Sequence, residues 1–205
     1  MDIKLNFINN SNDVNNSRIV IFQKNLSSDG NDAAVAWKVI KNCGQTEHHP
    51  FTYSQQTRIT SSDSWGNYTP MLDATPGTAF TAVMNEAGDG LRPTGKAASA
   101  SEIELLNGLE QGSVGAHVYR SGRMVAVRTG IAPGQKAVFT FRPTIWIGAV
   151  SQVEEGDVMN PAITSAVNTE ISLLGIASAD IVMTGGGPGA NSTAFQFNLQ
   201  NIVLA

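Results

Sequence analysis

The segment from residue 114 to residue 128, VGAHVYRSGRMVAVR, places a Ser-Gly pair between two short runs rich in β-branched and apolar residues. Serine and glycine at this point suit the positive φ angles of a two-residue hairpin turn. The pattern predicts strands over 114–119 and 124–128 joined at Ser121-Gly122. An antiparallel sheet is therefore the starting point for the fold.

Stretches in which apolar and polar residues alternate recur along the chain, at 3–7, 80–84, 137–141 and 195–199. Alternation is typical of a strand with one buried face, whereas the continuous apolar runs at 19–22 and 145–147 predict strands covered on both faces. Helical candidates are short: residues 32–41, which also suit a strand, and a capped turn at 99–106. The sequence therefore predicts an all-β fold, an antiparallel β-sandwich or barrel with at most one or two short helices.

The composition excludes several classes of protein. The chain has 205 residues, of which 41% are hydrophobic and 15% are charged. Charged residues are scarcer than the usual quarter, but there is enough apolar material for a core, which argues against intrinsic disorder. No stretch approaches 18 apolar residues, so no transmembrane helix is expected. No internal repeat at a fixed period is evident, and we expect a single domain over residues 1–205.

The charge balance and the first residues bear on partners and location. The net charge of −4 argues against a nucleic-acid partner, because binding to phosphates requires a basic surface. The first residues, MDIKLN, lack the basic and then apolar organisation of a signal peptide. We therefore expect a cytoplasmic protein, or one exported without a cleaved signal, and no motif indicates a cofactor.

A glycine-rich stretch resembles a phosphate-binding loop in spacing only. Residues 90–97 have the pattern Gly-x4-Gly-Lys, but Ala97 replaces the usual serine or threonine and Pro93 removes one backbone N–H. No helix of useful length is predicted after it, although such a loop requires one. We therefore expect residues 85–100 to form a long surface loop.

Two clusters carry candidate ligands or acid–base groups: Cys43, Glu47, His48 and His49 in one, and Glu154 with Asp157 in the other. Thiolate, carboxylate and imidazole groups bind transition metals, but adjacent histidines on a strand point to opposite faces. The clusters motivate one alternative function, a small metal-dependent hydrolase. Turns rich in Asp, Asn and Gly at 29–32 and 63–67 resemble calcium loops, although the same residues also form plain turns.

The candidate binding surface is a polar loop at residues 61–70, SSDSWGNYTP. Trp65 and Tyr68 can stack against a sugar ring or a partner's backbone, and Asp63 and Asn67 can hydrogen-bond at the ring edges. The alternative is that both aromatic rings fold back onto the core. We predict that these four residues bind a ligand.

Four short fragments occur in the same order as in a known group of proteins: FINNS at 7–11, IVIFQ at 19–23, VAW at 35–37 and RPTIWI at 142–147. In these fragments the chain resembles the uncharacterised RhiA-type group of rhizosphere-expressed proteins. The resemblance implies an all-β protein and supplies no catalytic residues.

No complete catalytic motif is present, and low charge density removes a barrier to contacts between copies. We therefore expect a non-enzymatic β-sandwich that acts by binding or by self-association, as a homo-oligomer or with a glycan or protein ligand. The alternatives are a lectin-like carbohydrate-binding module, the metal-dependent hydrolase and a membrane-active β-protein.

Overall fold

The structure, a computed structural model, describes residues 2–27, 33–86 and 88–205. It is 58% strand and 5% helix, so the all-β prediction is confirmed. No sheet closes into a barrel within the described ranges, and the arrangement is sandwich-like. The calcium-like turn at 29–32 lies outside the described residues.

The strands are β1 (Asp2–Asn9), β2 (Arg18–Phe22), β3 (Lys38–Ile40), β4 (His48–Ser54), β5 (Thr57–Ser62), β6 (Leu72–Asp73), β7 (Thr78–Asn85), β8 (Gly88–Lys96), β9 (Glu102–Asn107), β10 (Val114–Arg120), β11 (Arg123–Ile131), β12 (Lys136–Thr140), β13 (Thr144–Val150), β14 (Thr169–Ser172), β15 (Ile176–Gly186) and β16 (Thr193–Leu204). One helix, α1 (Pro161–Ala166), and a 3-10 turn at Gly189–Asn191 complete the described elements. Neither is long or apolar enough to cross a bilayer.

The chain divides into two compact units. Unit 1 comprises Met1–Gln23, Ala36–Gln55 and Pro143–Ala205. Its two sheets have the strand orders β16-β15-β1-β4 and β14-β13-β2-β3, and β1 runs parallel to β15. Phe7 and Trp37 are among the large side chains that fill its core.

Unit 2 comprises Lys24–Val35 and Gln56–Arg142. Its sheets have the orders β11-β10-β5-β6 and β12-β9-β7-β8, with one parallel pair, β7 and β9. The predicted hairpin is present between β10 and β11, and both turn residues have positive φ, 51° at Ser121 and 75° at Gly122. Positive φ at both central positions matches the twist of the flanking strands.

The two units have the same topology. Strands β9, β10, β11 and β12 of unit 2 occupy the places that β1, β2, β3 and β4 occupy in unit 1, and β5 to β8 occupy those of β13 to β16. Every strand pairing is matched in direction, including the parallel pair at the centre of one sheet. The chain is thus a tandem repeat, β1–β8 followed by β9–β16, in which each unit contains the first half of one repeat and the second half of the other.

This structural repeat has no fixed period, in agreement with the sequence analysis, which found no repeat at a fixed period. Equivalent strands lie at unequal spacings, since β1 and β9 begin at residues 2 and 102 but β4 and β12 begin at 48 and 136. A search at one period misses such a repeat. Its remaining trace in sequence is short: DIKL and EIEL open the first equivalent pair of strands.

Two local predictions are wrong. The stretch at 85–100 is not a loop, because residues 88–96 form β8, which pairs antiparallel with β7. The predicted helical turn at 99–106 is a bend followed by β9.

The observed helix α1 begins at Pro161, where the side chain of Asn160 accepts a hydrogen bond from the N–H of Ile163. Asparagine at the N-cap and proline at the first helical position are the usual start signal.

Candidate functional site

The predicted binding loop is held in one conformation by Asp63. Its carboxylate accepts hydrogen bonds from the N–H groups of Trp65 and Asn67, at 2.8 and 2.9 Å, and from the side-chain amide of Asn67 at 2.7 Å. The hydrogen bonds from Asn67 hold the pKa of Asp63 below its usual value. Gly66 completes the turn with a φ of 86°. We call residues 63–69 the Trp65 loop.

The base of the Trp65 loop is tied to its strand. Ser62 and Tyr68 form an isolated antiparallel bridge, and the N–H of Thr69 donates to the carbonyl of Ser61. The hydroxyl of Thr60 donates to the carbonyl of Thr69 at 2.6 Å. A loop braced at both ends loses little entropy on binding, which favours affinity.

The two aromatic side chains of the loop have different surroundings. Trp65 is 89% exposed, so its ring is not part of the core. Tyr68 is 57% exposed, and its ring lies 4.9 Å from the imidazole ring of His117. An indole held in solvent forgoes the burial that stabilises large apolar side chains, about 1.5–3 kcal/mol each. Such a ring is available for stacking.

A pocket of about 410 Å³ lies beside this loop. Its wall includes Asp63, Asn67 and Tyr68 from the loop, Ser62 at the end of β5 and Asp89 at the start of β8. Trp65 does not line the pocket, so the structure places three of the four predicted residues together and the indole outside them. The side chains of Asp63 and Asn67 are already bonded to each other, which leaves their remaining oxygen lone pairs for a ligand.

The sequence analysis did not single out His117, which contacts a residue of the pocket wall. The Oγ of Ser62 lies 2.9 Å from Nε2 of His117, which is only 6% exposed. Burial lowers the pKa of His117 and favours the neutral ring. No described atom hydrogen-bonds to its Nδ1. A serine nucleophile requires a base oriented by a third group, so we interpret the pair as a structural contact between Ser62 in the pocket wall and a buried ring behind it.

The signal for this pair lies in strand register. Ser62 is opposite Gly115 in the ladder between β5 and β10. A Cβ at Gly115 would lie 2.6 Å from the hydroxyl of Ser62 and 2.9 Å from Nε2 of His117. The missing side chain therefore makes room for the hydrogen bond.

The predicted metal ligands are only partly brought together. Donor atoms of Cys43, Glu47 and His49 all lie within 4.8 Å of one another. His48 lies apart from them, since its Nδ1 is 3.1 Å from the side-chain nitrogen of Asn6. The two histidines thus diverge as strand alternation predicts.

The thiol, the carboxylate and the imidazole offer the donor set that zinc uses. Burial, and to a smaller extent the charge of Glu47, raises the pKa of Cys43. Glu47 also accepts a hydrogen bond from the N–H of Gly44 at 2.8 Å. Metal binding would therefore have to displace a proton from the thiol, while Glu47 could ligate through its other carboxylate oxygen.

The second predicted cluster has structural partners instead. Glu154 forms ion pairs with Arg18 and Lys41. Asp157 accepts a hydrogen bond from the backbone N–H of Glu154 at 2.8 Å. The two carboxylates therefore brace a turn and do not face each other across a cleft. The segment with phosphate-loop spacing at 90–97 lies mainly in β8, whose geometry is not that of a loop leading into a helix.

Comparisons of this chain with protein-family models, with curated proteins and with solved structures found no match.

Proposed function

We propose that this protein is a non-catalytic binding protein that takes a carbohydrate at the Trp65 loop and its pocket. The observation that carries the proposal is the exposed indole of Trp65 on a loop locked by Asp63. Aromatic faces stack on the C–H faces of sugar rings, and nearby polar groups select hydroxyls. A rigid aromatic platform beside a polar pocket supplies both kinds of contact.

The lining of the pocket supports a neutral polyhydroxylated ligand. Ser62, Asn67 and Tyr68 carry hydroxyl and amide groups, and the charged side chains in the wall are the acidic Asp63 and Asp89. Acidic groups accept hydrogen bonds from sugar hydroxyls and repel phosphate or carboxylate ligands. We therefore expect neutral sugars to bind better than acidic ones.

The test is a printed array of neutral and acidic oligosaccharides, followed by fluorescence titration of the best neutral sugar. Trp65→Ala should weaken binding by about 30-fold, the effect of losing a hot-spot aromatic worth ~2 kcal/mol. Leu174→Ala is the matched control, because Leu174 is 76% exposed in the other unit. If no sugar binds, or if both variants bind like the wild type, the proposal is wrong.

A second function, self-association, is favoured by the edge strand β16. Every other edge strand carries a charged residue or a proline, such as Pro50 in β4 or Lys136 in β12. The twelve residues of β16 contain neither, and Ile202, Val203 and Leu204 are exposed at its end. A long, neutral, apolar edge is a template for pairing with another strand. We propose that β16 pairs with β16 of a second copy.

Light scattering after size-exclusion chromatography tests this pairing. Val203→Lys should shift the protein to the monomer mass, because a lysine on the edge is charged and disfavours pairing. Val158→Lys is the control: both valines are 55% exposed, but Val158 lies outside the strands. A wild-type protein that stays monomeric at high concentration would contradict the proposal.

A further inference from the structure

Unit 1 contains a pocket at the place equivalent to the pocket of unit 2. It measures about 380 Å³ and is lined by residues from three chain segments: Asn15–Ser17 before β2, Ala149–Ser151 at the end of β13, and Phe195 near the start of β16. In the shared topology β2, β13 and β16 correspond to β10, β5 and β8. Those strands contribute Val114, Ser62 and Asp89 to the pocket beside the Trp65 loop.

One loop at this second pocket lies before β2, whereas the Trp65 loop follows β5, but the two loops are braced by the same pattern of hydrogen bonds. The carboxylate of Asp13 accepts hydrogen bonds from the N–H groups of Asn15 and Ser17, at 2.9 and 2.6 Å, and from the hydroxyl of Ser17 at 3.2 Å. Asp63 likewise binds the N–H groups two and four residues on and the side chain of the fourth. Asn16 has a φ of 49° and donates its side-chain amide to Asn42.

The chemistry of the second pocket also suits a sugar. Phe195 contributes a half-buried aromatic ring. The side-chain amide of Asn15 and the hydroxyl of Ser151 are exposed beside it, and neither side chain hydrogen-bonds to another described residue. The first pocket likewise has an aromatic ring beside amide and hydroxyl groups, although there Asn67 and Ser62 also hydrogen-bond to Asp63 and His117.

We infer that the pocket of Asn15, Ser151 and Phe195 is a second carbohydrate-binding site, so that one chain binds two sugar residues. The inference rests on the proposed function, since it assigns the same ligand class to the equivalent place in the other unit. The first pocket has the exposed indole of Trp65 on the adjoining loop, whereas the aromatic residue at the second pocket is the half-buried Phe195. The second site therefore binds more weakly than the first, as the loss of a stacking indole requires.

The test is an amide NMR titration of the 205-residue chain with methyl glycosides of glucose, galactose, mannose and N-acetylglucosamine. Two separate groups of signals should shift, one from 61–69 and 88–90, the other from 13–17, 149–151 and 195. Trp65→Ala should weaken the first response by tenfold or more and leave the second within twofold. Ser151→Trp, at an exposed position, should fill the second pocket and have the opposite effect.

The outcomes separate the two proposals. If only the signals of the first pocket shift, the second site is wrong while the proposed function stands. If neither group shifts, the proposed function fails and the second site with it. If Trp65→Ala abolishes both responses, the second group reports on the first pocket, and the inference is overturned. Asn15→Ala, which keeps the backbone bond to Asp13, checks any loss that Ser151→Trp causes by disturbing the fold.

Discussion

The hydroxyl of Ser62 lies 2.9 Å from Nε2 of His117, on two strands that are neighbours in one sheet. The other ring nitrogen of His117 is buried and has no partner among the described residues. The pair therefore joins the wall of a solvent pocket to a buried ionisable ring. A buried ionisable ring couples its protonation to unfolding.

The first prediction concerns this pH dependence. Burial lowers the pKa of His117 in the folded state, so the unfolded chain takes up its proton first, near pH 6.5. The contribution of neutral His117 to the free energy of unfolding is thus fully present above that pH and is lost as the pH falls. Urea midpoints measured from pH 8 to pH 5 should decrease more for the wild type than for His117→Gln. Parallel decreases would show that His117 does not titrate in this way.

Gly115→Ala should destabilise unit 2. Its Cβ would lie 2.6 Å from the hydroxyl of Ser62 and 2.9 Å from Nε2 of His117, so these groups would have to move apart. Overpacking of this kind costs ~1–3 kcal/mol. Gly44→Ala is the control, because its added Cβ meets nothing closer than 3.4 Å. Equal free energies of unfolding for the two variants, from urea titration, would refute the argument.

The features predicted correctly from sequence depend on local signals. The β10–β11 hairpin follows from Ser121-Gly122, and one-sided strands such as β1 follow from alternation, with Ile3 and Leu5 buried and Lys4 exposed. The residues of β8, GDGLRPTGK, have no such pattern, because Leu91 is the one large aliphatic residue among them and no alternation of apolar and polar residues results. This edge strand exists because β7 offers it a ladder, and a ladder is a non-local property.

The candidate site likewise combines features that local sequence signals predict with features that depend on non-local strand pairing. The Trp65 loop is visible in sequence because aromatic residues stand among turn formers, and an aspartate two and four residues before its backbone donors is a local device. His117 and the second pocket required strand register and the shared topology of the units. Unequal spacings between equivalent strands conceal both from a reading along the chain.

Cys43 should react slowly with iodoacetamide in the folded protein. Burial first, and the carboxylate of Glu47 second, raise the pKa of the thiol, and the thiolate is the reacting species. Glu47→Gln removes the charge and keeps an oxygen for the N–H of Gly44, so alkylation at pH 8 should accelerate by about twofold to threefold. The rate is measured by mass spectrometry.

The control for that experiment is Glu86→Gln, an exposed carboxylate in the other unit. It should leave the alkylation rate of Cys43 unchanged. An unaltered rate in Glu47→Gln would mean that burial alone raises the pKa of the thiol.

The last prediction is that the two units unfold in one transition, as a single domain over residues 1–205 would. The chain passes between the units at 23–24, 35–36, 55–56 and 142–143, so each unit consists of segments that are separated in sequence. When one unit unfolds, the other loses the connection that holds its own segments close together. The entropic cost of closing those loops then opposes the folding of the remaining unit and lowers its stability.

Matched core variants test this coupling. Ile59 in unit 2 and Ile181 in unit 1 are both 0% exposed, and truncating either to alanine costs ~2–5 kcal/mol. In urea titrations followed by amide NMR, signals from both units should disappear at one midpoint, and each variant should lower that midpoint for both sets of signals. If Ile59→Ala lowers only the midpoint of unit 2, the units are independent domains.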